Sequence, residues 1–255
     1  MTRPLRLLFR SERIKLRRSW SMLAAVLTPL SLGAILFLIF WFSEDRVHSL
    51  GAGFQAWYQV GYTAWNLFFL PISTALVAVL SWEAESEAGT WRHLLLQPLP
   101  RWGHFAAKVM GHLSLALLSQ VLFALMLLLG GLLLRAGAPG LAMGPARPGL
   151  LLGLAGASLL AALPLVGLHT WLPMRHPGMG LSLSVAMIGT WMAYRLAGRF
   201  ALALLLPWCL AARAVAILVK GQGALWAPGL AALAGAAVLL ALGTLDFLHR
   251  EAFGD

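Results

Sequence analysis

The chain has 255 residues, 60% of them hydrophobic and only 11% charged, with a mean hydropathy of +0.81, which excludes an ordinary soluble enzyme and points to a polytopic membrane protein. A formal charge of +10 would suggest nucleic acid in a soluble protein. Here seven of the nineteen lysines and arginines fall between Arg3 and Arg18, just before the first apolar run, so the charge is assigned to membrane topology and contact with anionic lipid, and no nucleic acid is expected.

In chain order, residues 1–18 set Leu5, Leu8, Phe9 and Leu16 among arginines, a basic amphipathic pattern that predicts a helix on the membrane surface with a cytoplasmic N-terminus. The uncharged run 19–43 exceeds a signal-peptide core of about 7–15 residues and reads as an uncleaved first span over Trp20–Phe42, kinked at Pro29. An outer loop opened by Glu44, Asp45 and Arg46 ends near Trp57 and Tyr58. A second span over about 61–81 returns the chain to the cytoplasm.

Residues 82–108, WEAESEAGTWRHLLLQPLPRWGHFAAK, form the densest internal polar run and are expected in water between two spans. Glu83 and Glu87 share a helical face at i,i+4, and Gly89 interrupts that helix. Residues 91–96 predict a short transverse helix with an apolar patch at Leu94, Leu95 and Leu96, stopped by Pro98 and Pro100. Arg101, His104 and Lys108 recur at i, i+3, i+7 as the basic face of the next helix.

A third span over about 111–134 leads to a Gly/Pro-rich outer loop too short for a domain, and a fourth covers about 150–172. Gly153 with Ala157, and later Ala231 with Gly235, have the spacing that lets another helix approach closely, and are read as faces for a second chain. Pro173 to Pro177 predicts a tight inner turn before a fifth span over about 178–194. The apolar stretch 200–212 is only 13 residues long, contains Pro207 and is cut by Arg213 and Lys220. Such a run suits a re-entrant rather than a spanning segment, so 200–222 is assigned to the outer side. With a last span over about 226–245, twelve lysines and arginines lie inside and seven outside, the expected bias. The predicted fold is all-α: one transmembrane domain over 1–255, a bundle of six transmembrane helices with an N-terminal interfacial helix and a re-entrant segment before the last span.

The order Glu83, Gly89, Thr90, Leu94, Leu95, Pro98, Arg101, Lys108 resembles the first cytoplasmic loop of the type-2 ABC exporter permeases. Leu206, Pro207 and Trp208, with Trp171, Leu172 and Arg175, resemble the branch that includes lantibiotic-immunity subunits, although Pro173 and Pro100 depart from its pattern. The resemblance implies a coupling helix within 82–108 that rests on a separate ABC ATPase subunit, a second permease copy or sister permease, and membrane lipids as surroundings. It also implies a bacterial inner-membrane location with both termini cytoplasmic. The function implied is export of an amphipathic peptide, drug or lipid-like compound, antimicrobial-peptide immunity included.

Chemistry inside the chain is sparse. No G-x-x-x-x-G-K occurs and no lysine follows a glycine, so ATP binding by a P-loop is excluded and no cofactor is expected. There is no H-E-x-x-H, and residues 156–159 are only half of a nucleophile elbow. No Asp, Glu, Lys or Arg falls inside the six proposed spans, which argues against an ion-coupled carrier. His112 and His169 lack a third ligand and read as packed polar residues rather than a metal pair. The single cysteine, Cys209, excludes an internal disulfide. Trp20, Trp41, Trp82, Trp102, Trp171 and Trp226 are assigned to interfacial belts. A bundle of this kind must be driven from outside itself, and the rivals are a non-transporting scaffold or anchoring subunit, or an intramembrane enzyme.

Overall fold

The computed structural model describes residues 3–42, 53–87, 100–196, 204–221 and 223–249, and all regular structure among them is helical. Helix α1 (Arg3–Leu16) buries Leu8, Glu12 and Leu16 and exposes Arg6, Arg10 and Arg13, with Arg17 exposed just beyond it. Ser19 then caps α2 (Trp20–Phe42), its Oγ accepting the Met22 N–H at 3.2 Å. Helix α2 continues through Pro29, whose ring leaves the Ala25 carbonyl without an intrahelical donor. Ser119, on a neighbouring helix, donates its hydroxyl to that carbonyl at 2.7 Å.

Helix α3 (Gly53–Ala64) runs through a π-helical turn (Trp65–Phe69) into α4 (Leu70–Glu87). Trp57 and Tyr58, expected at the end of a loop, are fully buried inside α3. The Trp57 indole N–H donates to the Leu127 carbonyl at 2.7 Å and its ring meets Phe40 edge-on at 4.8 Å, which draws the start of this helix into the core. Helix α5 (Arg101–Gly137) has 37 residues, about 55 Å of rise, so it extends well past a ~30 Å hydrocarbon layer. Then come α6 (Pro148–Arg175), α7 (Met179–Leu196), α8 (Pro207–Lys220) and α9 (Trp226–His249). Pro173 lies inside α6 rather than in the turn that follows it, so the reversal is confined to 176–178.

Five described helices are long and apolar enough to cross a membrane: Trp20–Phe42, Gly53–Ser86, Arg101–Gly137, Pro148–Arg175 and Trp226–His249. Helix α7, the expected fifth of six spans, is not among them. Its 18 residues include Arg195, which lies beside the Trp191 ring at 5.5 Å. Helix α8 rises only about 21 Å, too short to cross. It opens with Pro207 at its first turn and closes on Gly221 at φ 65°.

The hub is α6, against which α9, α8, α5 and α4 all pack. Small residues make these contacts close. At Gly189 of α7 the indole of Trp208 lies where a Cβ would stand, so α8 packs flush against α7 there. In the small pairs read as faces for a second chain, both glycines are half-buried and each meets a helix of its own chain: Gly153 faces Leu218 of α8, and Gly235 faces Pro164 of α6. Gly130 is tighter than either, with Trp57 only 3.2 Å from where its Cβ would be.

Candidate functional site

The expected coupling loop can be built from both flanks. Gly89, Thr90, Leu94, Leu95 and Pro98 lie outside the described residues, as does the side chain of Glu87. On the α4 side, Glu83 is half-buried. On the α5 side Arg101 is exposed, but His104 and Lys108 are buried, Lys108 being only 2% exposed. The expected basic, solvated face at Arg101, His104 and Lys108 is therefore corrected: only Arg101 is on the surface.

Lys108 is buried because its charge is met. Its ammonium group has three protons, and it lies 3.2 Å from Glu12 Oε1 on α1, 2.9 Å from Glu85 Oε1 on α4, and 3.0 Å from Ser81 Oγ. The Trp82 ring lies under the same group, 5.1 Å from Nζ to the ring centroid. Lys15, on the open side of α1, approaches Glu85 Oε1 at 2.8 Å and Glu12 Oε2 at 3.7 Å. Two lysines and two glutamates thus form a neutral quartet that ties α1 to α4 and α5, the helices that precede and follow residues 88–99 in sequence. Burial works against the Lys15 charge, but hydrogen bonding and attraction from Glu85, then Glu12, outweigh it and raise the Lys15 pKa.

Trp82 belongs to this region rather than to an interfacial belt. Its side chain is buried and its N–H donates to the Thr170 carbonyl of α6 at 2.9 Å. Trp20, Trp41, Trp102 and Trp226 are exposed, as a belt requires. Trp171 donates to Asp246 Oδ2 at 2.8 Å and Arg175 pairs with Asp246 Oδ1 at 3.2 Å, which fixes α6 to α9 at the same end of the bundle.

A second polar cluster lies deeper and carries no charge. The π-helical turn swings Asn66 into the core, where its Oδ1 accepts the Ser158 hydroxyl of α6, and Ser158 in turn accepts from the Gln120 side-chain amide of α5. All three are buried. Beside it, His112 Nδ1 lies 2.8 Å from Thr170 Oγ1, while the His169 ring faces Trp208 edge-on at 6.3 Å. The two histidines thus have different partners, and among the described residues no group of three His, Cys, Asp or Glu side chains is placed to hold a metal.

Leu206, Pro207 and Trp208 form the entry to α8, with Trp208 between Gly189 and His169 and Cys209 buried. The other end of α8 meets the start of α3, where Gln55 donates to the Val219 carbonyl at 3.1 Å and accepts from Arg147 at 2.7 Å.

Residues 8–193 match the model of a family described as ABC-2 family transporter protein. No curated protein matches the chain.

Proposed function

The chain belongs to the ABC-2 family of transporter proteins, a multi-pass membrane permease of an ABC transporter system, and from that membership we propose that it is the permease of an ATP-driven exporter. In this reading α1 lies on the cytoplasmic face, α7 is a sixth span, α8 is re-entrant on the outer side, and both termini are cytoplasmic. Residues 88–99 carry the coupling element: Leu94 and Leu95 fill a groove on a separate ATPase subunit, while Glu83 and Arg101 supply rim charge that orients it. A second copy or a sister permease completes the pathway. The cargo is an amphipathic peptide or lipid-like compound taken from the bilayer, with antimicrobial-peptide immunity as the narrower role.

The observation that supports coupling most directly is the buried quartet. A loop that passes force must be fastened at both ends, and here the helix entering it and the helix leaving it are joined through Glu85 and Lys108 at 2.9 Å and clamped to α1 by Glu12. Co-purification of the ATPase subunit tests the reading. Leu95→Ala is expected to weaken docking by about 1–3 kcal/mol, the range for one buried aliphatic side chain. Arg101→Glu should add a defect that salt relieves. Arg147→Ala, at the opposite end of the bundle, should dock normally. Equal losses in all three, or none, would leave a membrane scaffold without a transport role.

A further inference from the structure

A groove of about 780 Å³ runs between α1, the start of α2 and the outer flank of α5. Its walls are apolar: Phe9 and Leu16 from α1, Met22 from α2, and Met110, Leu115 and Leu118 from α5. Along α5 the groove reaches from Ala107 to Leu118, about 16 Å of helix, which is the length of an extended acyl chain rather than of a compact solute. Gly111 bounds it, letting α1 come close to α5, since a Cβ there would stand 2.8 Å from Leu16 Cδ1 and 3.2 Å from Glu12 Cγ.

The mouth has the opposite character. Arg13, in the last turn of α1, and Arg17, just beyond the helix end, line it, and both are exposed. Glu12 is the acid in the lining, and its charge is already engaged by Lys108 at 3.2 Å and Lys15 at 3.7 Å. The mouth therefore presents net positive charge over an apolar slot. Two guanidinium forks suit a phosphodiester, which accepts bidentate hydrogen bonds, and their double positive charge favours a head that carries no ammonium group beside its phosphate. Trp20, 73% exposed at the start of α2, marks the same level as an interfacial residue.

We propose that this groove holds one acidic glycerophospholipid, its phosphate between Arg13 and Arg17 and one acyl chain along Met110 to Leu118. The lipid seats α1 against α5 next to the buried quartet. The inference rests on the placement of α1 at the membrane surface given above, and it is independent of whether an ATPase docks at residues 88–99.

The test uses the full chain in nanodiscs of phosphatidylcholine doped with a trace of phosphatidylglycerol bearing a photoactivatable acyl chain, with labelled peptides mapped by mass spectrometry. Labelling is expected at Met22, Met110, Ser114 and Leu118, and unlabelled phosphatidylglycerol should compete it away while phosphatidylcholine does not. Each of Arg13→Gln and Arg17→Gln should weaken that competition about fivefold, the effect of one surface cation on an anionic lipid. Ser114→Trp, which fills an exposed part of the slot, should abolish the labelling without altering expression. Labelling that phosphatidylcholine competes equally, that ignores both arginines, or that spreads over the exposed face of α9 would reduce the groove to ordinary annular contact and overturn the proposal. Cross-links from Met110 to a second copy would also overturn it, by giving the groove to protein. A chain that binds phosphatidylglycerol this way yet recruits no ATPase would sink the exporter reading alone.

Discussion

The charged quartet joining α1, α4 and α5 and the neutral cluster joining the π-helical turn, α5 and α6 are both buried, but they stand at different depths. Along α5, Lys108 lies about 10 Å from the helix start and Gln120 about 28 Å, near the middle of 37 residues. An ionised group at mid-bilayer carries a penalty of several kcal/mol, so the deep site uses amides and a hydroxyl, while the site near the helix end can hold ions if each is paired. Chemistry follows depth. The two clusters also join different things: the deep one fastens helices long and apolar enough to cross a membrane, and the shallow one fastens α1 to the two helices that flank residues 88–99 in sequence.

The most damaging change should be the one that leaves charge unpaired. Lys108→Met leaves Glu12 and Glu85 to share Lys15 alone, an excess negative charge in a buried site, and should destabilise the fold by about 3–5 kcal/mol, read as a drop in the thermal midpoint in detergent. The triple change Glu12→Gln, Glu85→Gln, Lys108→Met should recover part of that loss, because the one charge of the quartet that remains is Lys15, whose side chain is 40% exposed and can reach water. A triple variant no better than the single would show that packing, not charge, holds the site.

Breaking the deep cluster should be milder. Ser158→Ala removes the hydroxyl that Gln120 and Asn66 share, and the expected loss is about 0.6–1.7 kcal/mol, the range for interhelical hydrogen bonds in membranes. A loss as large as that for Lys108→Met would erase the contrast in depth.

The class of molecule and most of its helices are legible in the sequence because apolar runs of membrane length leave few alternatives. The first predicted span and the observed α2 share the bounds Trp20–Phe42. The two clusters are much less legible. Lys108 falls at helical spacing with Arg101 and His104, a pattern that also describes a solvated basic face, and its partner Glu12 is 96 residues away. One signal was available, since Glu12 is the single acid in the first 42 residues, an exception within a strongly basic helix. Asn66 and Gln120 were legible in another way, as lone amides in uncharged stretches, but a search restricted to ionisable groups passes over them. The contacts of Gly153 and Gly235 within their own chain were not legible, because small-residue spacing marks a close approach without saying whether the neighbour belongs to the same chain.

The smallest expected effect comes from pH. The raised pKa of Lys15 means that its contribution is fully present below the ordinary lysine value of 10.5 and is lost only as pH rises through the higher folded value. Proteolysis within α1 should therefore stay slow from neutral pH to about pH 10 and quicken only beyond it. Quickening well below about pH 10 would mean that burial outweighs the pairing of Lys15 with Glu85 and Glu12.

The central claim is that the quartet links residues 88–99 to the bundle, and ATP hydrolysis by the reconstituted complex tests it most directly. The rate measured with the unaltered chain should differ from that of the ATPase subunit alone. With the triple variant, which keeps Leu94 and Leu95, the subunit should still co-purify but its rate should return toward that of the subunit alone. A triple variant that binds the ATPase and alters its rate as the unaltered chain does would contradict the account.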